Sequence, residues 1–328
     1  MSPRSRNYIA VDVGGTQLRA ALFSSDSLTP IRISKISTRH PQVTPLERLI
    51  ELIASLWPED GQVSGIAVAT PGPTDPHAGV VLEAPNIPGW LDLPLRSRLE
   101  ERFPAPVAIG NDANLAALGE CRFGAGQGHQ NLIYITISTG IGGGVLMDGR
   151  MLLGTRGLAA EFGHVTVLPD GPVCGCGHRG HLEAIASGTA IARWVEMKLA
   201  QGEASMLQAD ENLSARIISQ AAREGDPLAI AALERAGTFF GLALANFLHI
   251  FNPSIVILGG GVTQSGDLLL NPIRDTLKQQ VMTPAYLDGF TLTTAALGDE
   301  AGLMGALALA RSLSNPEARE DPAQIYDT

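Results

Sequence analysis

Residues 157–188 read GLAAEFGHVTVLPDGPVCGCGHRGHLEAIASG and hold two of the chain's three cysteines and three of its seven histidines. Two thiolates with two or three imidazoles can close a tetrahedral metal shell. Glu161 and Glu183 flank the cluster, and a site rich in carboxylates can equally carry chemistry of its own.

A second group of residues points to anions. The runs DVGGT at 12–16 and STGIGGG at 138–144 read as glycine turns between strands, with a third cluster, Gly259, Gly260 and Gly261, after an apolar run. Such turns present backbone N–H groups to an anion, and Thr16, Ser138 and Thr139 add hydroxyl donors. Asp12, beside Gly14 and Gly15, repels phosphate unless it holds Mg²⁺ against the phosphate oxygens, directly or through water. Each loop alone reads as a tight hairpin turn. Two related loops and a third glycine cluster instead suggest a nucleotide pinched between two domains. Neither the Walker A spacing nor the dinucleotide fingerprint is present. A third feature is NDAN at 111–114, where Asp112 follows a predicted strand and opens a predicted helix. The helix N-terminus favours an ionised carboxylate there, although an ordinary helix cap explains an aspartate at that place as well.

The elements that must position these groups are readable. Residues 8–23 and 132–147 share one design of strand, glycine turn and strand, an internal repeat of about half the chain's length. Thr44, Pro45 and Glu47 open a helix with a capping box, with Leu46, Leu49, Ile50, Ile53 and Leu56 on one face. Strand signals follow at GIAVAT and PVAIG, then a helix over DANLAALGECRF. In the second half a helical pattern runs from Pro227 to His249 and stops at Asn252 and Pro253; the strand SIVILGGGV and a last helix, EAGLMGALALARSL, come after it. Helix and strand alternate, so each half is expected to be an α/β sheet covered by helices. The expected domains are a smaller one over 1–118, with the helix at about 298–312 packing back on it, a larger one over 119–297, and a polar tail over 313–328.

The 328 residues, 45% apolar, suffice for two cores. A formal charge of -10 disfavours nucleic acid and anionic lipid surfaces as partners. The stretch FFGLALANFLHIF, broken by Asn246 and His249, is too short to span a bilayer, and the N-terminal residues carry no secretory signal. These features imply a cytoplasmic protein. Few cysteines, two of them in CGC, fit a reducing compartment and a metal site better than disulfides.

In order along the chain, DVGGT, NDAN, GLAAEFGHV, CGCGHRGHLEAIASG and LGGG at 258–261 resemble the ROK family, which includes bacterial repressors and sugar kinases. The resemblance runs from about Tyr8 to Arg311 and, helped by EAPNIPGW at 83–90, is strongest to the bacterial glucokinases. It implies a two-domain actin-like, ribonuclease H-like α/β fold with mixed sheets flanked by helices and a cleft between domains. It also implies transfer of the γ-phosphoryl group of ATP to a sugar hydroxyl, usually on carbon six. By residue matching, Asp112 is the general base. Asn86, Asn111, Glu161, His164 and Glu183 hold sugar hydroxyls, as carboxylates, amides and imidazole can. Gly14, Gly15 and Thr16 grip the transferring phosphate, while Ser138, Thr139, Gly140, Gly142, Gly259, Gly260 and Gly261 line the nucleotide side. The family's structural zinc is held by one histidine and three cysteines; His164, Cys174 and Cys176 match, and His181 stands where the third cysteine usually is, with His178 the competing ligand. A homodimer is implied as well. Rival readings are a kinase for another hexose or an N-acetylhexosamine, a polyphosphate-dependent kinase, an ATPase acting by conformational change, and a sugar-responsive regulator. The few residues before Tyr8 leave too little chain for a DNA-binding segment.

Overall fold

A computed structural model describes residues 6–59, 61–208 and 212–314, so most of the expected polar tail lies outside the described residues. The first hairpin is β1 (Asn7–Val13) and β2 (Gln17–Ser24), antiparallel with Asp12 opposite Arg19 and Val13 opposite Leu18. Next come β3 (Arg32–Ser37) and α1 (Pro45–Ser55), whose capping box of Thr44 and Glu47 is formed in both directions. Strand β4 (Gly65–Thr70) precedes three short strands, β5 (Thr74–Asp75), β6 (Val80–Glu83) and β7 (Leu91–Leu93), which make a small sheet of their own. Helix α2 (Leu95–Glu100) leads to β8 (Val107–Asn111) and α3 (Asp112–Phe123). The main sheet has the order β3-β2-β1-β4-β8, with β1, β4 and β8 parallel. Every residue of β4 is buried, as a parallel strand covered on both faces requires.

The second half repeats this plan. Strands β9 (Leu132–Ile137), β10 (Ile141–Met147) and β11 (Arg150–Met151) precede helices α4 (Glu183–Ala186), α5 (Gly188–Ala200), α6 (Ala215–Arg223) and α7 (Pro227–Phe251). Strand β12 (Ile255–Gly259), α8 (Asp267–Gln280), β13 (Thr291–Thr294) and α9 (Ala301–Ser312) complete the described elements. The sheet order is β11-β10-β9-β12-β13, with β12 parallel to both β9 and β13. The repeat visible in two hairpins is therefore a repeat of two whole sheets.

Two compact units result. Among the described residues, one contains those up to Gln130, Gly144–Ala160 and those from Ala296; the other contains Asn131–Gly143 and those from Glu161 to Ala295. A boundary at 118 cuts α3, which belongs whole to the first unit because it lies backbone to backbone on α9. A side chain at Gly305 would fall only 1.7 Å from the Leu115 carbonyl oxygen. Helix α9 also packs on β1 and β4.

In the second unit α7 is the central helix. Its 25 residues are long and apolar enough to cross a membrane, which corrects the reading of this stretch as too short, but most of that surface is buried inside the protein. It packs against α8, α6 and α5. Asn252, in the left-handed conformation at φ 43°, ends it and Pro253 follows. Asp226 caps its start: Oδ1 accepts from the Ala229 N–H at 2.8 Å and Oδ2 from the Ser205 hydroxyl at 2.8 Å and the Met206 N–H. Burial pushes this carboxyl up, but these bonds together hold it below its ordinary range. A lowered folded pKa stabilises above the unfolded value of about 3.9, and that stability is lost as pH falls through the folded value. Asp226→Ala is expected to cost about 1–2 kcal/mol. Thermal melts should show the deficit of Asp226→Asn largest at neutral pH and shrinking below about pH 4.

Candidate active site and metal centre

In the first unit the DVGGT turn is held by its neighbours. The Gly14 N–H donates to the Gln17 carbonyl at 2.8 Å, and the buried Thr38 donates its hydroxyl to the Gly14 carbonyl at 2.6 Å and its N–H to the Thr16 carbonyl at 2.9 Å. Asp12, Gly14, Gly15 and Thr16 line a cavity of about 400 Å³ together with Gln17, Arg19, Lys35 and Asp299. The last three were not found in the sequence. Arg19 donates to Asp12 Oδ2 at 3.0 Å, to Glu300 Oε1 at 2.5 Å and to the Asp299 carbonyl at 2.5 Å. Lys35 faces Arg19 across the β2–β3 pairing. Burial pushes the Asp12 carboxyl up, Arg19 opposes this by charge and hydrogen bond, and Glu300 adds to the rise. The partly desolvated Asp12 carboxylate suits a divalent cation, and the Arg19–Lys35 pair beside the glycine turn suits the phosphate that such an ion neutralises. Asn86, in the loop between β6 and β7, reaches this turn: a side chain at Gly15 would meet Asn86 Cβ at 2.9 Å. Trp90 closes the same loop and is buried in the core beside Ile87.

Asp112 is the first residue of α3, and the cap is Asn111. Asn111 Oδ1 accepts from the N–H groups of Ala113 and Asn114 at 3.0 and 3.1 Å, and its amide donates to the Gly72 carbonyl at 3.1 Å. Asn111 therefore spends most of its polar capacity fixing the helix start. Asp112 Oδ1 accepts from the Ala113 N–H at 2.8 Å. The helix-cap reading belongs to Asn111, and Asp112 stands at the positive end of the helix as a carboxylate. The ends of β1, β4 and β8 are level, with Asp12 opposite Ala69 and Thr70 opposite Asn111. At about 4.8 Å per strand, β1 and β8 are separated by about 10 Å.

In the second unit the His/Cys cluster is assembled. Ligand atoms of His164, Cys174, Cys176 and His181 all lie within 4.8 Å of one another. Cys174 Sγ is 3.8 Å from His164 Nδ1, and Cys176 Sγ is 3.3 Å from His181 Nδ1. His178 Nδ1 is 3.8 Å from Cys176 Sγ and its ring stacks on His181 at 5.7 Å, outside the group of four. Hydrogen bonds from His178, backbone first and then side chain, bring the exposed Cys176 thiol down to about 6, while burial pushes Cys174 up. The site can therefore hold a metal ion.

Glu183 opens α4 beside this cluster. Its Oε2 accepts from the Ile141 N–H at 2.9 Å, and the Cys174 thiol lies 3.7 Å from Oε1. Glu161 keeps contact with solvent, yet the protein packed around it pushes its carboxyl up; His164 opposes the rise and Glu183 adds to it. Glu161, His164 and Glu183 are thus electrostatic neighbours.

The glycines divided differently from expectation. Ser138, Thr139 and Gly261 line a pocket of about 480 Å³ with Thr189 and Arg193 of α5 and Ser214 and Arg216 at the start of α6. Gly140 is turned to Glu183, whose Oε2 occupies the space a side chain would take at 2.5 Å. Gly142 lies within β10 and outside that lining. Gly259 and Gly260 make room for the Tyr134 ring and the Ile137 backbone, so both serve packing of β12 on β9. The expected strand ends at Gly259, and residues 261–265 form a 3₁₀ turn.

The ROK family pattern matches residues 8–313. The chain belongs to the ROK family, and its fold is the two-domain actin-like α/β fold of ROK sugar kinases. It is 37% identical over 311 residues to a glucokinase of Thermotoga maritima, covering 92% of this chain and 96% of that protein. The crystal structure of a ROK family glucokinase from Streptomyces griseus in complex with glucose and AMPPNP matches with a TM-score of 0.75 and 36% identity, covering 93% of this chain and 99% of that one. A xylose repressor of Bacillus subtilis is 31% identical over 302 residues, covering 90% of this chain and 75% of the repressor.

Proposed function

We propose that the chain is an ATP-dependent hexokinase that converts glucose to glucose 6-phosphate, a glucokinase. The observation that carries this reading is Asp112 itself. It stands at the N-terminus of a helix capped by another residue, at the same strand ends as a glycine turn bearing a second, half-buried carboxylate, Asp12. The similarity to glucokinases over nearly the whole chain supports the same reading. In the reaction, Asp112 accepts the proton of the sugar hydroxyl as its oxygen bonds to the γ-phosphorus and the bond to the β-γ bridging oxygen breaks, releasing ADP. Glu161, His164 and Glu183, with Asn86 and the remaining amide proton of Asn111, hold the other hydroxyls. A polar set of this kind rejects an analogue lacking a hydroxyl strongly. The amides around Gly14 and Gly15 and the Thr16 hydroxyl hold the transferring phosphate, and the pocket at Ser138, Thr139 and Gly261 takes the nucleoside end.

Asp12 is suited to hold Mg²⁺, and His164, Cys174, Cys176 and His181 to hold zinc. A tetrahedral zinc shell places thiolate sulfur and imidazole nitrogen about 3.6 Å apart, and the observed 3.3 and 3.8 Å bracket that value. When bound, the first ion neutralises phosphate charge and the second cross-links the loop that carries Glu183. A cytoplasmic homodimer acting on small molecules completes the proposal, with sedimentation as its check.

A coupled assay of ADP release with ATP and Mg²⁺ should give the highest kcat/KM with glucose among glucose, mannose, fructose, allose and N-acetylhexosamines. Nucleotide hydrolysis indifferent to every sugar would remove the kinase reading. Similarity to the xylose repressor favours a second reading, a sugar-responsive regulator; sugar binding without any phosphoryl transfer would support it.

A further inference from the structure

Glu120 is a completely buried carboxylate, 0% exposed, that none of the roles above employs. It lies on α3 just over two turns beyond Asp112. Its Oε2 accepts from the Ala125 N–H at 2.8 Å and from the Ala296 N–H at 3.1 Å, and its Oε1 accepts from the Leu297 N–H at 2.8 Å. A buried charge is tolerable when N–H groups satisfy it in this manner. The two latter bonds join segments 176 and 177 residues apart. Two residues beyond Leu297, the Asp299 carbonyl holds Arg19, and Glu300 holds it again. Arg19 in turn holds Asp12. A continuous polar chain thus runs from the helix that carries Asp112 to the carboxylate beside the phosphate turn.

We infer that Glu120 is a positioning residue for Asp12: by clamping the 296–297 backbone it sets where Asp299 and Glu300 hold Arg19, and so where Asp12 meets Mg²⁺ and the nucleotide phosphates. The inference rests on the assignment of Asp12 to the cation. A purely structural clamp would support folding alike for every ligand. A positioning clamp affects the cation and phosphate end and leaves the sugar-holding groups untouched.

Glu120→Gln is the discriminating substitution. The amide oxygen can keep two of the three N–H partners, but its NH₂ must then face the third N–H, so the clamp loosens without emptying the site. The Mg²⁺ concentration for half-maximal velocity should rise on the order of tenfold, the size expected for coupled neighbours. Glucose KM and the calorimetric Kd for glucose should stay within about twofold. ADP binding should weaken in the presence of Mg²⁺ and not in its absence, and hydrogen exchange at Ala296 and Leu297 should accelerate. Glu300→Gln, at a half-exposed side chain, should shift the Mg²⁺ requirement in the same direction, and the double variant should fall short of additivity. Should Glu120→Gln not fold, Glu300→Gln carries the same readouts. An unchanged Mg²⁺ requirement and unchanged Mg²⁺-dependent ADP binding would overturn the inference, as would equal losses for sugar and nucleotide. If the wild-type chain shows no sugar-dependent turnover, the kinase assignment fails by itself; the ADP calorimetry and hydrogen exchange still decide the role of Glu120.

Discussion

Asp112→Asn folds, binds glucose and loses turnover by about 10² to 10⁴, the range for removing a positioned base. At 1.36 kcal/mol per decade this is about 3–5 kcal/mol of transition-state stabilisation. The fold survives because the cap of α3 is Asn111, and an amide oxygen at position 112 can still accept from the Ala113 N–H. The lost negative charge at the helix N-terminus costs at most about 1 kcal/mol. Binding survives because the proposed sugar contacts are mostly other residues. The expected signature is therefore a fall in kcat with glucose Kd, measured by calorimetry, within a few-fold and a melting temperature within a few degrees. Turnover near that of the wild type would take Asp112 out of the mechanism. A matching fall in glucose affinity would make it a binding group instead.

How much of this is legible in the sequence depends on whether the signal is local. The two hairpins, the Thr44–Glu47 capping box and the start and stop of α7 are short-range patterns, and the structure repeats them within a residue or two. The matched sheet orders follow from the repeat. Arg19, Lys35, Asp299 and Glu300 escaped because their meeting depends on strand register and on a contact 281 residues long. The Asp12–Arg19 pair alone had a signal, since the two lie symmetrically about the glycine turn and face each other in the hairpin. Glycine is the reverse case: sequence shows that a side chain is missing and not what fills its place. Gly261 borders a pocket, whereas Gly259 and Gly260 border a tyrosine ring and a backbone. The boundary at 118 falls inside α3 for a similar reason, because nothing local to that helix shows that its Gly119 lies against α9, about 180 residues further along.

Zinc removal has the second large effect, and the loop geometry says what it will and will not do. The segment from Val165 to Leu182 is stitched by backbone bonds of its own, with Leu182 N–H to the Val165 carbonyl at 2.9 Å, Val167 N–H to Gly180 at 2.9 Å and Cys174 N–H to His178 at 2.7 Å. The cluster is therefore partly preformed, and the unit's core lies elsewhere, around α7 and β12. Loss of the ion should lower the melting temperature without unfolding the chain. The larger effect should fall on the sugar, because the Cys174 thiol lies 3.7 Å from Glu183 Oε1 and the His164 charge acts on the Glu161 carboxyl. Elemental analysis of protein purified without chelator should give one zinc per chain. Cys174→Ser should reduce zinc affinity by at least the 10- to 100-fold known for weaker, second-sphere perturbations and should raise glucose KM more than it lowers kcat. The pH dependence has a definite sign. Hydrogen bonds from His178 bring the Cys176 thiol down to about 6 before any metal binds, and protons compete with the metal for thiolate and imidazole alike, so zinc should be retained at neutral pH and released in acid, below the range in which the metal-free thiol titrates. His181→Ala should release it at neutral pH and His178→Ala should not, since only His181 belongs to the group of four. Full activity in a zinc-free preparation would reduce the cluster to an incidental loop and leave the placement of Glu183 to its bond with Ile141 alone.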